Sequence, residues 1–280
     1  MLPDDFDFMA QLLKGRTGYV LTRDKGYLVE NRLLPVVRVG RYKGLPDLIA
    51  ALRRGESELA DKVVDAMLVK DTSFFRDWKP FEHFKQTVLP SLIKHRGAAK
   101  TFRVLSAGVS TGQEAFSVAM LIRDHGWDLA GWNIEIVGLD ISRSALSVAQ
   151  LATYSQFDVQ RGLPVRLLLQ HFSKRDDSWI LNGDIQGMVG FMAWNLMDDI
   201  YSLGRFDVIL CRNVLSYFDL QTKVSILQKF ARSLTDDGVL YTSSDESVAG
   251  VSNMYRSVDP ALGIHAVHRG EKGGPPSLAS

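Results

Sequence analysis

One cysteine, Cys211, stands in 280 residues, so no intramolecular disulfide framework holds this chain together. No His/Cys spacing of a zinc site is present either, and the expectation is a reducing-compartment protein without structural metal. The first residues, MLPDDFDFMA, carry acids where a secretory leader would carry bases, and no apolar run approaches bilayer-spanning length. Neither sign of charge dominates: 33 Lys and Arg face 32 Asp and Glu, which gives nucleic acid no electrostatic footprint. Together these absences predict a cytoplasmic protein that inserts in no membrane and binds no nucleic acid. What is present is a 46% hydrophobic composition, ample for a packed core in one large domain or two modest ones.

The first eighty or so residues read as short helices without strand alternation. Phe6, Met9, Leu12 and Leu13 fall on one helical face, and Leu59, Val63, Val64, Met67 and Leu68 on another. Between them KGYLVENRLLPVVRVGRYKG is basic along one side, with Lys25, Arg32, Arg38, Arg41 and Lys43. A solvated helix face and a docking surface fit that pattern equally. From residue 101 the pattern changes. TFRVLSA, IEIVGLD, FDVILCRN and GVLYTS are apolar strand-like runs, and helical segments separate them. This alternation predicts right-handed crossovers and a largely parallel sheet. Residues 155–194 break the rhythm: Asp176-Asp177 and Asn182-Gly183 punctuate SWIL and GMVGFMAW, which suggests a small antiparallel excursion. The last residues, GEKGGPPSLAS, predict a disordered tail.

Residues that bear chemistry collect at the ends of these strands. After the first comes Ser106-Ala107-Gly108-Val109-Ser110-Thr111-Gly112, a glycine-containing strand-to-helix turn that lets backbone approach a ligand. Its G-x-x-x-G spacing is neither the dinucleotide fingerprint nor a P-loop. The second strand ends in Asp140, placed either to accept the hydroxyls of a ribose or to cap the next helix. Asn195 comes after GFMAW, and Arg212-Asn213 close the third run. In an open α/β sheet these positions rim a ligand site, and a nucleoside-type ligand fits them. NAD remains compatible with that geometry.

SAGVSTGQEAFSVAM resembles the first motif of the CheR family, close to SAGCSTGEEPYSIAM, and FDVILCRNVLSYFD resembles that family's signature almost residue for residue. DTSFFRD is similar to its NETxFFR segment, and LDISRSALSVAQLATY and NLMDD also fit. The resemblance runs to about Val267 and implies an α/β fold: a Rossmann-like S-adenosylmethionine-dependent methyltransferase domain over 79–268, an N-terminal helical domain over 1–78, and a small antiparallel β-subdomain inserted near 155–194. It implies methylation of glutamate side chains on methyl-accepting chemotaxis receptors, with S-adenosylhomocysteine as product. The family's cofactor contacts carry over to Thr72, Arg76, Gly108, Glu114, Asp140, Asn195, Leu196, Arg212 and Asn213. Arg76 and Tyr217 match positions that orient the substrate carboxylate. Receptor docking by Arg32, Arg38 and Arg41 is expected. Members that grip a pentapeptide tether on receptors carry a longer, glycine-containing loop where this chain has HFSKRDDSWIL, so tether binding is not expected. Departures are Lys70 in place of Asn, Gln113, Ala115 and Phe116 in the first motif, and SSDES at 243–247. Lys70 would set a cation near a sulfonium unless its side chain reaches solvent, Asp71 or the methionine carboxylate. Two alternatives stand beside the main reading: a non-catalytic cofactor-binding interaction module, and a methyltransferase acting on another substrate.

Overall fold

The computed structural model describes residues 1–126 and 129–268, so the expected tail lies outside the described residues. The chain divides into two compact units, residues 1–70 with 217–222, and residues 71–216 with 223 onward.

The first unit is helical: α1 (Pro3–Thr17), α2 (Gly26–Val39), α3 (Leu45–Arg53) and α4 (Ser57–Met67). Pro3 opens α1 with Asp4 and Asp5 in its first turn, where the helix dipole favours acids. Gly18, at φ 76°, closes α1 by donating its N–H to the Lys14 carbonyl. The apolar faces read from sequence meet in one core, in which Met9, Leu13, Val29, Leu33 and Val63 are fully buried. Residues 217–222 join this unit. Tyr217 stacks on Tyr19 at 5.3 Å, its carbonyl accepts the Val20 N–H at 2.9 Å, and Lys14 pairs with Asp219 at 2.8 Å.

The second unit opens with residues 71–78, whose Phe74 and Phe75 are buried in its core. The division therefore falls between residues 70 and 71, ahead of the expected position at 78. The chain continues through α5 (Lys79–His83), a π-helical turn (Phe84–Val88) and α6 (Leu89–Arg96) into β1 (Thr101–Ala107). Then come α7 (Gln113–Arg123), β2 (Asn133–Asp140), α8 (Arg143–Leu151), β3 (Thr153–Ser155), α9 (Gln156–Gln160), α10 (Val165–His171), β4 (Phe172–Arg175), β5 (Ser178–Leu181), α11 (Gly183–Gln186) and β6 (Val189–Ala193). The remainder is β7 (Phe206–Leu210), α12 (Leu220–Ser233), β8 (Leu234–Tyr241), β9 (Tyr255–Asp259) and β10 (Ile264–Val267).

The main sheet has seven strands in the order β6-β2-β1-β7-β8-β10-β9. The pairs from β6 to β8 are parallel, while β10 is antiparallel to both β8 and β9. That antiparallel edge was not foreshadowed, because Arg256, Ser257 and Asp259 interrupt the apolar alternation of β9. Its turn is pinned by Asp259, whose carboxylate accepts the Leu262 N–H at 3.1 Å. The small sheet is β3-β5-β4, all antiparallel, so SWIL falls where expected. GMVGFMAW does not: it supplies β6, parallel to β2 at the edge of the main sheet. The excursion thus closes at β5, and a strand half exposed on one side reads from sequence like a hairpin arm.

The small sheet packs on the segment that begins this unit. Phe74 meets Tyr154 of β3 at 5.0 Å and Phe172 of β4 at 5.6 Å, both edge-on. Gly162, at φ 81°, lies so close to this segment that a Cβ there would sit 2.2 Å from the Phe74 carbonyl oxygen. Gly162→Ala is therefore expected to destabilise the fold by about 1–3 kcal/mol, through a clash against backbone in a left-handed conformation. Urea unfolding of both proteins measures this; an unchanged midpoint would mean that the loop has room to move.

Candidate active site

The carboxyl ends of β6, β2, β1, β7 and β8 lie side by side, with the reversal of strand order between β1 and β7. A site is expected at that point in an open α/β sheet. In register, Ala107 of β1 faces Leu139 of β2, Asp140 faces Ala193 of β6, and Leu210 of β7 faces both Ser106 and Tyr241. The residues just beyond these ends are Gly108, Trp194-Asn195, Arg212-Asn213 and Ser243.

Asp140 acts as a bracket between loops. Its Oδ2 accepts the Ser110 N–H at 2.7 Å and its Oδ1 the Ser142 N–H at 2.8 Å. The helix-capping role belongs to Ser142, whose hydroxyl accepts the Ala145 N–H at 3.1 Å. The glycine turn works differently from the sequence expectation. The N–H groups of Gly108 and Val109 both donate to the Leu139 carbonyl, at 2.8 and 2.9 Å, and that of Ser110 goes to Asp140. The turn offers shape instead of donors. Gly108 sits at φ 76°, and a Cβ would lie 2.5 Å from Val214 Cγ2.

Arg212 is the central charge, with its side chain only 2% exposed. Nη1 approaches Glu114 Oε2 at 3.4 Å, and Nη2 donates to the Arg76 carbonyl at 2.9 Å and to Asp77 Oδ2 at 2.8 Å. The guanidinium also lies over the Phe81 ring at 5.4 Å. Glu114, its side chain 13% exposed, accepts the Ser106 hydroxyl at 2.8 Å. Burial raises its pKa above the ordinary 4.5, opposed by Arg212, the Ser106 hydroxyl and Arg76. Asn213, at φ 59°, donates its N–H to Glu246 Oε2 at 2.8 Å and to Ser243 Oγ at 2.9 Å. Glu246 Oε1 also takes the Ser216 N–H at 2.9 Å, which fixes the turn after β7. Cys211 is buried, and burial pushes its thiol well up, reinforced by Glu246 and Glu114. It is a neutral wall.

Asn195 makes an Asx turn, its Oδ1 accepting the Met197 N–H at 3.0 Å, next to buried Leu196. Thr72 and Arg76 ride on the segment that Arg212 holds. Arg76 is half-buried and donates through Nη1 to the Asp71 carbonyl at 3.2 Å. Tyr217 belongs to the helical unit, so the second unit does not itself bring it to these residues. Lys70, also in that unit, pairs with Asp65 at 2.8 Å, a partner the sequence reading did not weigh.

Sequence reasoning missed Trp194, Asp77 and Phe81. Among the described residues, Trp194 Nε1 and Arg212 Nε are buried N–H groups without a hydrogen-bond partner. Both belong to residues just past strand ends, where orphaned donors call for a ligand. Trp194 directly precedes Asn195, so the strand-end rule that found the asparagine could have found it too.

The family model described as CheR methyltransferase, SAM binding domain, matches residues 70–263, and that of the CheR methyltransferase all-alpha domain matches residues 4–68. The chain belongs to the CheR methyltransferase family. Chemotaxis protein methyltransferase 1 of Pseudomonas aeruginosa is 35% identical over 264 residues, spanning 93% of this chain and 96% of that protein. Chemotaxis protein methyltransferase Cher2 of Pseudomonas putida is 32% identical over 265 residues, with the same two shares. Membership makes the chain an S-adenosylmethionine-dependent methyltransferase, and the geometry fits that molecule. Orphaned donors, an acceptor carboxylate at the β2 end and a buried pair of opposite charges match a nucleoside joined to a zwitterionic methionyl group.

A raised Glu114 pKa means that the carboxyl takes up its proton at higher pH than an ordinary glutamate. If Glu114 faces the cationic part of the ligand, S-adenosylhomocysteine affinity falls as pH drops toward that raised value. Glu114→Gln should weaken binding at neutral pH and remove the acid limb, and Asp140→Ala should weaken it at every pH. Calorimetry across pH reads both; an acid limb that persists in Glu114→Gln assigns the titration elsewhere.

Proposed function

We propose that this CheR-family enzyme methylates glutamate side chains of methyl-accepting chemotaxis receptors in the cytoplasm. Asp140 takes the ribose hydroxyls, and Trp194, Asn195 and Leu196 face the adenine. Glu114 and Arg212 face the ammonium and carboxylate of the methionyl end, with Gly108 and Asn213 shaping the turns around them. S-adenosylmethionine, when bound, supplies an electrophilic methyl on a sulfonium. The glutamate carboxylate is already ionised at neutral pH, so the chain has no proton to remove. Its task is alignment and exclusion of water. A guanidinium fork suits a carboxylate, and Arg76 orients it.

The observation that supports this reading best is the tie between Arg212 and the Arg76 loop. The same buried guanidinium that meets Glu114 also grips the Arg76 carbonyl and Asp77. The carboxylate-orienting residue is therefore anchored to the cofactor-facing charge. Lys70, which with the altered SSDES segment is the departure that favours a non-catalytic module, has its ammonium balanced by Asp65. Among the described residues no helix is long and apolar enough to cross a membrane.

Arg76→Ala is expected to lower the single-turnover rate of receptor methylation on the order of tenfold or more, the scale of a lost orienting contact. S-adenosylhomocysteine affinity should change far less. A collapse of product affinity with no separate loss in rate would make Arg76 a cofactor ligand only.

Docking falls to the exposed basic end of α2. Arg38 and Arg41 are exposed, whereas Arg32 is half-buried and donates to the Met67 carbonyl at the end of α4, a structural C-cap. Reversing Arg38 and Arg41 to Glu should raise the Michaelis constant for receptor, with a loss that shrinks in high salt, and leave cofactor affinity alone. Unchanged receptor kinetics would return this face to plain solvation.

Tether recognition is not proposed. The β4–β5 connection is a tight turn at Asp176-Asp177, with Asp176 at φ 51°. Calorimetric titration with a receptor C-terminal pentapeptide should show no micromolar binding; a saturable micromolar isotherm would overturn this.

A further inference from the structure

Asp71 stands between two arginines. Arg161 Nη2 donates to its Oδ1 at 2.9 Å, while Arg76 Nη1 stays 3.8 Å from its Oδ2 and bonds the Asp71 carbonyl at 3.2 Å instead. Arg161 comes from the turn after α9, one residue before Gly162, which is jammed against the Phe74 carbonyl. Its guanidinium also lies 5.5 Å over the ring of Phe157, which is 66% exposed. Backbone and side chain are thus both held where Arg161 meets Asp71.

We infer that Arg161 is a positioning residue for methyl transfer: by occupying the Asp71 carboxylate it keeps the Arg76 guanidinium available to the incoming glutamate. The inference rests on the reading of Arg76 given above. A carboxylate attracts the nearer of two guanidiniums more strongly, and an arginine already forked onto one carboxylate presents fewer N–H groups to a second. Without Arg161, the Asp71 carboxylate has Arg76 as its remaining cation within 4 Å among the described residues. It would draw that group from 3.8 Å into hydrogen-bond range and compete with substrate. Arg161 sits on the stretch between β3 and β4, so the inserted segment contributes to the reaction from within this unit.

The same logic makes loss of Arg161 correctable at a second site. Arg161→Ala should lower kcat for receptor methylation about three- to fivefold, the scale of one partly exposed ion pair. The Michaelis constant for receptor and S-adenosylhomocysteine affinity by calorimetry should stay near wild type. Arg161→Lys should recover part of the loss. The double variant Arg161→Ala with Asp71→Asn should recover most of it, because the competing carboxylate is gone, and Asp71→Asn alone should lose less than Arg161→Ala. If the double variant is as impaired as Arg161→Ala and Asp71→Asn matches both, the bridge is a plain staple and the inference fails. Unchanged kinetics in Arg161→Ala, or a fall in product affinity, overturns it as well. Arg76→Ala runs beside these as reference: wild-type turnover there sinks the reading of Arg76, whatever Arg161→Ala does. Impaired turnover there, with no suppression by Asp71→Asn, sinks the Arg161 inference alone.

Discussion

A buried arginine organises the catalytic unit. Taking a guanidinium out of water costs several kcal/mol unless its donors are met, and Arg212 at 2% exposure engages its two terminal nitrogens with groups from separate parts of the chain, leaving only Nε without a partner. Glu114 comes from the first turn of α7, Asp77 and the Arg76 carbonyl from the opening segment, and Phe81 from α5. Each of these must be in place for the charge to be tolerated, so the charge selects the arrangement in which they are. A well-packed apolar side chain there could be as stable. It would not couple the loop carrying Arg76 to the end of β7.

The coupling bears on backbone geometry. Phe75, Asp77 and Trp78 have φ of 49°, 62° and 28°, values that side chains of their kind rarely adopt. Each such residue costs on the order of 1–3 kcal/mol and persists only where its surroundings over-determine it. Here Ser117 Oγ accepts the Phe75 N–H at 3.0 Å, Arg212 grips residues 76 and 77, and the small sheet seats Phe74 between Tyr154 and Phe172. The strain is offset from both sides, and its product is a half-exposed Arg76 beside the ends of the parallel strands.

Much of this frame was legible in the residues alone. TFRVLSA is β1 end to end, and IEIVGLD differs from β2 by one residue, because strands buried on both faces read as unbroken apolar runs. Gly108, Asp140, Asn195, Arg212 and Asn213 all lie at or just past the carboxyl end of such a run, which is why position in the sequence was enough to find them. Long-range pairing was not legible. Nothing in GMVGFMAW states that its partner is β2, and nothing in VQRGLP states that its arginine meets Asp71. The glycine turn was misjudged for a related reason: its amides look available in one dimension, but Leu139 and Asp140 take them from the neighbouring strand.

These pairings divide the unit's labour. Apart from Glu114, in the first turn of α7, the groups assigned to the cofactor stand at or just past the ends of strands locked in a parallel ladder, whose hydrogen bonds fix the backbone. The group assigned to the substrate stands on a loop without a ladder, held by side chains alone: one buried arginine, a cluster of rings, and a surface pair between Arg161 and Asp71. Side-chain restraints of this kind are individually weak, with an exposed ion pair worth at most about 1 kcal/mol. A carboxylate-orienting arginine gains from that weakness, since one locked into a strong pair of its own would have nothing left for the glutamate. The rigid half of the site can therefore hold a large ligand in one pose, while the softer half keeps a single cation poised and uncommitted.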